Sequence, residues 1–519
     1  MISARRRTWA NQLATDVLSI ALLLISTPVS SAADDQVEPE SQMVDLNVIA
    51  LDSHGEPITD LTRDDFQIAD AGKPQKIVFF RHNESEARQA ASIEPNEISN
   101  RRGENVPHAT VVLLDFMNQS FNTRNIAANQ LARYLEGLES ADYLYLYILT
   151  IDGRIYPVHG LPDPNAKAPK SQQTPWTKDI KRMLDQAIRD VLRVRPVDMD
   201  VAVRTQLTYR VLEAVAANLS RVPGRKNLVW ITDGVPIELG PIRSDTGDFV
   251  DFTPFLRQLS AALDRSKIAI YPVRQVMLGS PDAVSDVPGG GGRGGPVHSG
   301  IGSVDTLDQF AQMTGGRPDG GKDVGAAIKQ AMTDLRTSYQ IGYYPPARSW
   351  DSKLHKLKIT CKRKGVRIQA KSLYFAWPEP PGTRTLEAVR MASVTAFDAA
   401  EIGMRAMAKV DPKKRGEAHL EAHIDAHDVV LVHEGDQWNG QLRAVVVSYQ
   451  DGSAPSPSPI TAMDLHYNAV DRDQALKEGI PFTRDIIVGE GIHKLRLVVF
   501  DRGSDTVGSV TIEVPASTR

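Results

Sequence analysis

At 519 residues, 41% hydrophobic and 24% charged, the chain is too long for one hydrophobic core, so two to four domains are expected. The formal net charge is -4, from 60 Lys and Arg against 64 Asp and Glu, with no block of like charge, which argues against nucleic acid as a partner. The single cysteine, Cys361, excludes an intrachain disulfide, and its period-two surroundings Lys358-Ile-Thr-Cys-Lys362 read as a strand rather than a thiol site.

The N-terminus carries Arg5-Arg6-Arg7, an apolar stretch from Val17 to Ile25, Pro28, and the small residues Ser30-Ser31-Ala32-Ala33 before Asp34-Asp35. That order is the one a secretory signal peptide requires, so residues 1–33 are expected to direct export and to be removed after Ala32 or Ala33. The alternative is an uncleaved membrane anchor, for which the apolar core is short. Removal takes away three Arg and one Asp and moves the net charge from -4 to -6. An exported chain without disulfides fits a bacterial periplasm, envelope or extracellular location better than a eukaryotic matrix.

Residues 40–82 are β-patterned: Val44, Leu46, Val48 and Ala50 alternate with polar residues, and Asp52-Ser-His-Gly55-Glu-Pro57 and Asp70-Ala-Gly72-Lys-Pro74 supply turns. Residues 83–106 read as a polar linker. From 107 to 346, apolar strands alternate with amphipathic segments, which predicts an α/β domain with a doubly wound parallel sheet, its last strand running from Ser338 to Tyr343. In its first helix Ile126, Leu131, Tyr134, Leu135 and Leu138 are expected to share a face. A glycine-rich insert from Val287 to Gly302 lacks the context of a phosphate-binding loop and is expected to be a flexible surface loop.

Residues 347–378 predict a hairpin, His355–Thr360 and Val366–Tyr374, that pairs with the N-terminal β module. Residues 379–417 are expected to form a helical linker with one helix from Thr385 to Met407. Residues 418–519 predict a β-sandwich of immunoglobulin-like type, with strands at Leu442–Val447, Ala462–Tyr467, Phe482–Val488, Lys494–Phe500 and Ser509–Val514.

Two stretches of the α/β domain end apolar runs in an aspartate: Thr110-Val-Val-Leu-Leu-Asp115-Phe-Met-Asn118-Gln-Ser120-Phe and Asn227-Leu-Val-Trp-Ile-Thr232-Asp233-Gly234. Strands buried on both faces deliver such carboxylates to the carboxyl end of a parallel sheet, where ligands bind. The pattern resembles a von Willebrand factor type A (VWA) domain, whose first strand ends in a metal-site aspartate and whose fourth reads Thr-Asp-Gly. The resemblance implies a magnesium ion on Asp115 and Asp233, with an open position for a carboxylate of a protein partner; Asn118, Ser120 and Thr208 are the candidates for its remaining ligands. Asp115 and Asp233 match the family pattern. Met117 and Gln119 stand where it has serines, and a thioether is a poor ligand for a hard cation. Asn118 and Ser120 offer oxygens one residue out of register, and Thr205 competes with Thr208 as the loop threonine. The alternative is that both aspartates cap strand ends without a metal. Together with Leu61-Thr-Arg-Asp-Asp-Phe66 and Tyr339-Gln-Ile-Gly342-Tyr-Tyr-Pro-Pro346, the whole arrangement is similar to acidobacterial VWFA-related exported proteins. That resemblance implies an envelope protein that binds other proteins, with no enzymatic activity.

His419, His423 and His427 recur every four residues, but Leu420, Ala422, Ile424 and Ala426 alternate with them, so a strand with one polar face is expected rather than a zinc site. A second functional reading is an accessory protein or cryptic hydrolase whose sandwich binds carbohydrate or peptide through Trp438, Tyr449 and Tyr467.

Overall fold

The structure, a computed structural model, describes residues 42–82, 97–101, 109–119, 121–137, 144–161, most of 182–190, 201–220, 222, 224–234, 241–243, 249–274, 301–317, 323–346, 350–378, 383–395, 397–410, 416–450, 452–489 and 491–514. The signal segment, the linker outside 97–101, Ser120 and the glycine-rich stretch before Ile301 lie outside the described residues.

The N-terminal module contributes β1 (Val44–Leu51), β2 (Phe66–Asp70), β3 (Lys73–Gln75) and β4 (Phe79–His82). Ala71 and Gly72, at φ 46° and 79°, make the two-residue turn between β2 and β3, the backbone hand that matches strand twist in a tight hairpin. The later strands β13 (Tyr339–Tyr343), β14 (Leu354–Cys361), β15 (Arg367–Ala370) and β16 (Leu373–Phe375) return to this module. They complete two four-stranded antiparallel sheets, ordered β15-β1-β13-β4 and β16-β14-β2-β3. The expected hairpin is therefore split: β14 pairs with β2 and β16, whereas β15 pairs with β1.

The strand expected to close the parallel sheet belongs elsewhere. β13 lies antiparallel between β1 and β4, with Val44 opposite Tyr343 and Val48 opposite Tyr339. Tyr339 packs against Phe66, Phe80 and His82, and its hydroxyl donates to Ile58 O (2.8 Å) and accepts from Leu61 N (3.0 Å). A strand buried along its whole length looks the same in sequence whichever sheet receives it.

The α/β domain is built on β6 (Ala109–Asp115), β7 (Leu144–Leu149), β8 (Ile155–His159), β9 (Lys226–Thr232) and β12 (Ile268–Arg274), ordered β12-β9-β6-β7-β8. All neighbours are parallel except β8, which is antiparallel to β7. A short hairpin, β10 (Pro241–Arg243) with β11 (Phe249–Asp251), stands apart from this sheet. Alternate residues feed two cores. Val112, Leu114, Ile148, Val229 and Ile231 pack under α1 (Phe121–Glu136) and α5 (Val324–Arg336). Leu113, Tyr147, Leu228, Trp230 and Ile270 pack under α2 (Val201–Leu219), α3 (Thr253–Arg265) and α4 (Ile301–Thr314). On α1 the buried face is Ala127, Ala128, Leu131 and Leu135; Ile126 is 37% exposed, because five residues separate it from Leu131 and rotate it off that face. The chain is thus α/β, with a mixed parallel sheet and antiparallel sheets beside it.

Helix α6 (Thr383–Val394) ends sooner than expected, and Met404–Val410 is strand β17. Met404 and Ala406 face inward while Arg405 and Lys409 face out, a period-two pattern in which the inward alanines are easily read as helix formers. β17 lies between β5 (Ile98–Ser99) and β18 (Glu417–Ile424), and β18 pairs in turn with β23 (Ile480–Ile487). Facing this sheet are β19 (Val432–Glu434), β20 (Gln437–Gln450), β24 (Ile492–Asp501) and β25 (Thr506–Glu513), with β21 (Ser456–Pro457) and β22 (Thr461–Tyr467) also on β20. All five strands expected here are present, and the two sheets share one core of Leu420, Ile424, Leu442, Val446, Leu497 and Ile512, among others. The polar helix α7 (Ala469–Glu478) was not expected; only Ala475 of it is buried.

At the end of β24 the fully buried Asp501 accepts from Val430 N (2.9 Å), Gly503 N (3.0 Å) and Ser504 Oγ (2.6 Å). Burial nevertheless pushes its carboxyl up to about 6 from 3.8. Because the folded pKa lies above the unfolded one, the fold favours the protonated form and loses stability as pH rises between those values. The loss is roughly 3 kcal/mol at 1.36 kcal/mol per pKa unit. Exposed carboxylates such as Asp52 and Asp351, whose pKa values are lowered mainly by backbone hydrogen bonds, act in the opposite direction and at lower pH. The stability difference between wild type and Asp501→Asn, measured by urea unfolding, should therefore fall by about that amount from pH 4 to pH 7. A difference that stays flat with pH would contradict the buried-carboxyl account.

Candidate functional site

The strand order reverses between β6 and β9: from β6 the chain moves to β7 on one side and later returns to β9 on the other. In open α/β sheets the crevice outside the carboxyl ends at such a point is where ligands bind. Asp115 ends β6 there and Asp233 follows β9.

Asp115 is fully buried and its carboxylate is filled by protein donors. Oδ1 accepts from Asn118 N (3.0 Å). Oδ2 accepts from Asn118 Nδ2 (2.8 Å), Trp230 Nε1 (3.0 Å) and Thr232 Oγ1 (3.0 Å). Register explains these partners. Leu113 lies opposite Trp230, which puts Asp115 on the same face as Trp230 and Thr232. Thr232 Oγ1 also accepts from Gly234 N (3.1 Å), so the Thr-Asp-Gly turn is tied to the same network. Burial raises the Asp115 pKa, and the hydrogen bonds, led by Asn118, oppose that shift.

Asn118 carries the network to α2. Its Nδ2 donates to Thr208 Oγ1 (3.0 Å), and Thr208 Oγ1 donates to Arg204 O (2.9 Å). Of the two threonines, Thr208 is thus the one joined to Asn118, whereas the buried Thr205 Oγ1 has no hydrogen-bond partner among the described residues. Half-buried Asp233 belongs to the α1 side, where its Oδ2 accepts from Thr123 Oγ1 (2.7 Å). The next residue, Arg124, is 9% exposed. Burial depresses its pKa, while the charges of Asp115 and Asp233 favour its protonated form.

Of the expected ligands, Asp115, Asn118 and Thr208 are joined by hydrogen bonds, Asp233 follows the neighbouring strand β9 and is bonded to Thr123 instead, and Ser120 lies outside the described residues. As arranged, they do not fit a hard cation. Three donors occupy Asp115 Oδ2, and Asn118 turns its amide nitrogen, not its oxygen, toward both Asp115 and Thr208. Exchanging the two ends of that amide would set its oxygen against the carboxylate. Met117, at a serine position of the family pattern, lies in the apolar core under α2. Asn118 Oδ1 and both ends of the Gln119 amide are buried without partners among the described residues. Among the described residues no group of three or more His, Cys, Asp or Glu is placed to hold a metal. Sequence reasoning missed Thr123, Arg124, Trp230 and Thr232; the last two follow from the period-two pattern once β6 and β9 are set side by side.

A cavity of about 900 Å³ opens at the other end of the sheet, where the β modules meet the α/β domain. Its charged walls are largely internally matched: Lys267 with Glu401 (2.6 Å), Arg101 with Asp428 (2.6 Å) and Lys371 with Asp264 (3.1 Å). Lys226 there has its pKa pushed down to about 7 by burial, and its Nζ donates to Val222 O (2.8 Å) just beyond the end of α2. That is how a lysine closes a helix C-terminus.

The histidines fall in separate settings. His419 meets Asp485 (2.7 Å), His423 faces the partly buried side of β18, and His427 lies past the strand end in a turn, beside Asp425 (3.0 Å). The three aromatics of the sandwich form no single platform. Trp438 and Tyr467 are cross-strand neighbours, with Arg472 4.2 Å above the indole, whereas Tyr449 donates to Ser393 O (2.9 Å) under α6. Comparison with protein-family models and with curated proteins yields no match.

Proposed function

We propose that the chain is an exported VWA-type binding protein of a bacterial envelope that engages a protein partner at the carboxyl edge of its parallel sheet. The observation that carries this reading is the network of Asp115, Asn118 and Thr208 at the point where strand order reverses, with Asp233 at the end of the neighbouring strand. The Thr-Asp-Gly turn and the signal-like N-terminus support it, and a C-terminal sandwich of immunoglobulin-like type fits an extracytoplasmic role. The protein acts by binding, not catalysis, and touches the membrane only through export or an uncleaved N-terminal segment.

A photo-crosslinking residue at Asp233, compared with one at Ile487, which is 81% exposed on the sandwich edge strand, tests the location. The full chain expressed in a bacterial envelope should give discrete protein adducts from position 233 and none of the same mass from 487. Equal adducts at both positions, or none at 233, would remove the reading.

A further inference from the structure

We propose that His355 is a proton-operated clasp beside the junction cavity: protonated on both ring nitrogens, it ties the buried Asp70 to Asp351 and holds the turn from Trp350 to Lys353 in place, and on losing one proton it lets that turn go.

The first observation is the pairing of the ring. Nδ1 lies 3.1 Å from Asp70 Oδ1, and Nε2 lies 3.1 Å from Asp351 Oδ1. Carboxylate oxygens only accept, and a neutral imidazole has one N–H to give, so both contacts are satisfied together only when each nitrogen carries hydrogen. The other oxygen of Asp70 is already supplied by Tyr343 OH (3.0 Å) and Tyr374 OH (2.8 Å). Burial above all pushes both tyrosines up from their ordinary range, so they stay donors while an imidazole titrates.

The second observation is that the two carboxylates are unequal. Asp70 is 3% exposed, and its bond to Tyr343 crosses from β2 to β13, between the two sheets of the N-terminal module. Asp351 stands in the loop before β14 with its side chain 34% exposed. Its Oδ1 also accepts from Lys353 N (3.0 Å), and its Oδ2 lies 3.6 Å from Lys353 Nζ. When one proton leaves, the remaining N–H stays with Asp70, which burial keeps from solvent, and the Nε2 lone pair is set against Asp351 Oδ1. The outer contact is the one that breaks. Around the ring also stand Tyr374 OH, 3.5 Å from Nδ1, Lys73 opposite Asp70 on β3, and Lys371, 5.7 Å from the centre of the Tyr374 ring. The two lysine charges oppose that of the ring, so the clasp rests on its two carboxylates.

The third observation is the turn itself. Ser352 within it has φ 60°, a left-handed conformation that a non-glycine residue holds only when its surroundings fix it. Trp350, at its start, meets Tyr374 edge-on with centroids 6.3 Å apart, and both line the cavity. The clasp is therefore complete in acid, and the cavity wall loosens as pH rises through the range of imidazole titration, about pH 5 to 8.

Hydrogen–deuterium exchange of the full chain, read by mass spectrometry on the Trp350–Lys353 segment and corrected for the intrinsic pH dependence of amide exchange, tests this. Wild-type protection should fall about tenfold or more from pH 5 to pH 8.5, the loss expected for a hydrogen bond between charged groups. His355→Gln should lose the pH response. Asp351→Asn, whose amide can turn a donor toward an unprotonated Nε2, should stay protected at both pH values, which a merely structural histidine would not produce. Wild-type protection that is flat with pH overturns the proposal, as does a pH response retained in either variant. If His355→Gln does not fold, the wild type and Asp351→Asn decide between them.

Discussion

Asp115→Ala should lower the unfolding free energy by about 3–5 kcal/mol, and by the same amount in chelator as in magnesium. The substitution removes the common acceptor of Asn118 N, Asn118 Nδ2, Trp230 Nε1 and Thr232 Oγ1. Each buried donor left unmatched costs about 1–3 kcal/mol, and because the four share one carboxylate their costs do not simply add. Asp115→Asn should fall in between. Its oxygen can replace Oδ2, but its NH2 then faces the N–H of Asn118, setting donor against donor. Trp230 is fully buried and bonded to Asp115, so its fluorescence in a guanidinium titration reports the site once the other five tryptophans are replaced by phenylalanine. If the carboxylate were chiefly a metal ligand, the alanine variant would lose stability mainly when magnesium is present. A loss under about 1 kcal/mol in chelator would remove the capping account.

Much of this site is legible in sequence, because burial on both faces forces strands such as Val111–Leu114 and Leu228–Ile231 into unbroken apolar runs, and an aspartate ending such a run stands out. Trp230 and Thr232 become legible one step later, once the two strands are placed in register. Arg124 does not. A single arginine in an amphipathic helix reads as surface, and only the packing of α1 against the strand ends turns it inward. The same limit explains the fold errors. β13 carries no mark of which sheet it joins, since a fully buried strand has no polar face to orient it. Helix α7 is polar on nearly every side and is held by its Asn468 cap, whose side chain accepts from Asp471 N (2.9 Å), so no apolar stripe announces it. Chemistry concentrated in one residue type at a strand end survives translation to sequence; choice of partner strand is a long-range property and does not.

Asp428→Ala should cost about 3–5 kcal/mol and loosen the sandwich from the rest of the chain. Asp428 is 1% exposed and joins elements far apart in sequence. Its Oδ2 accepts from Arg101 Nη2 (2.6 Å) and from Gly403 N (2.9 Å), and Arg81 Nη1 stands 3.6 Å from Oδ1. Arg81 belongs to β4 and also donates to Gln340 of β13 (2.5 Å) and to the carbonyl of Glu401, so one guanidinium binds the N-terminal sheets to the sandwich. Beside it Met43, Phe79 and Val430 form a small apolar cluster across the same junction, and Tyr344 donates to Gly503 O (2.9 Å). Removing Asp428 leaves two guanidinium groups near each other without their shared counter-ion, a loss the small apolar cluster cannot offset at about 25 cal/mol per Å². Calorimetry should then resolve a separate, earlier transition for the sandwich, whereas the wild type melts with its modules coupled. A variant that keeps the wild-type profile with a loss under about 1 kcal/mol would show that apolar contact alone fixes the junction. Lys267 of the α/β domain is likewise paired with Glu401 of the sandwich side, so the clasp also sets how firmly the proposed binding edge of that domain is presented.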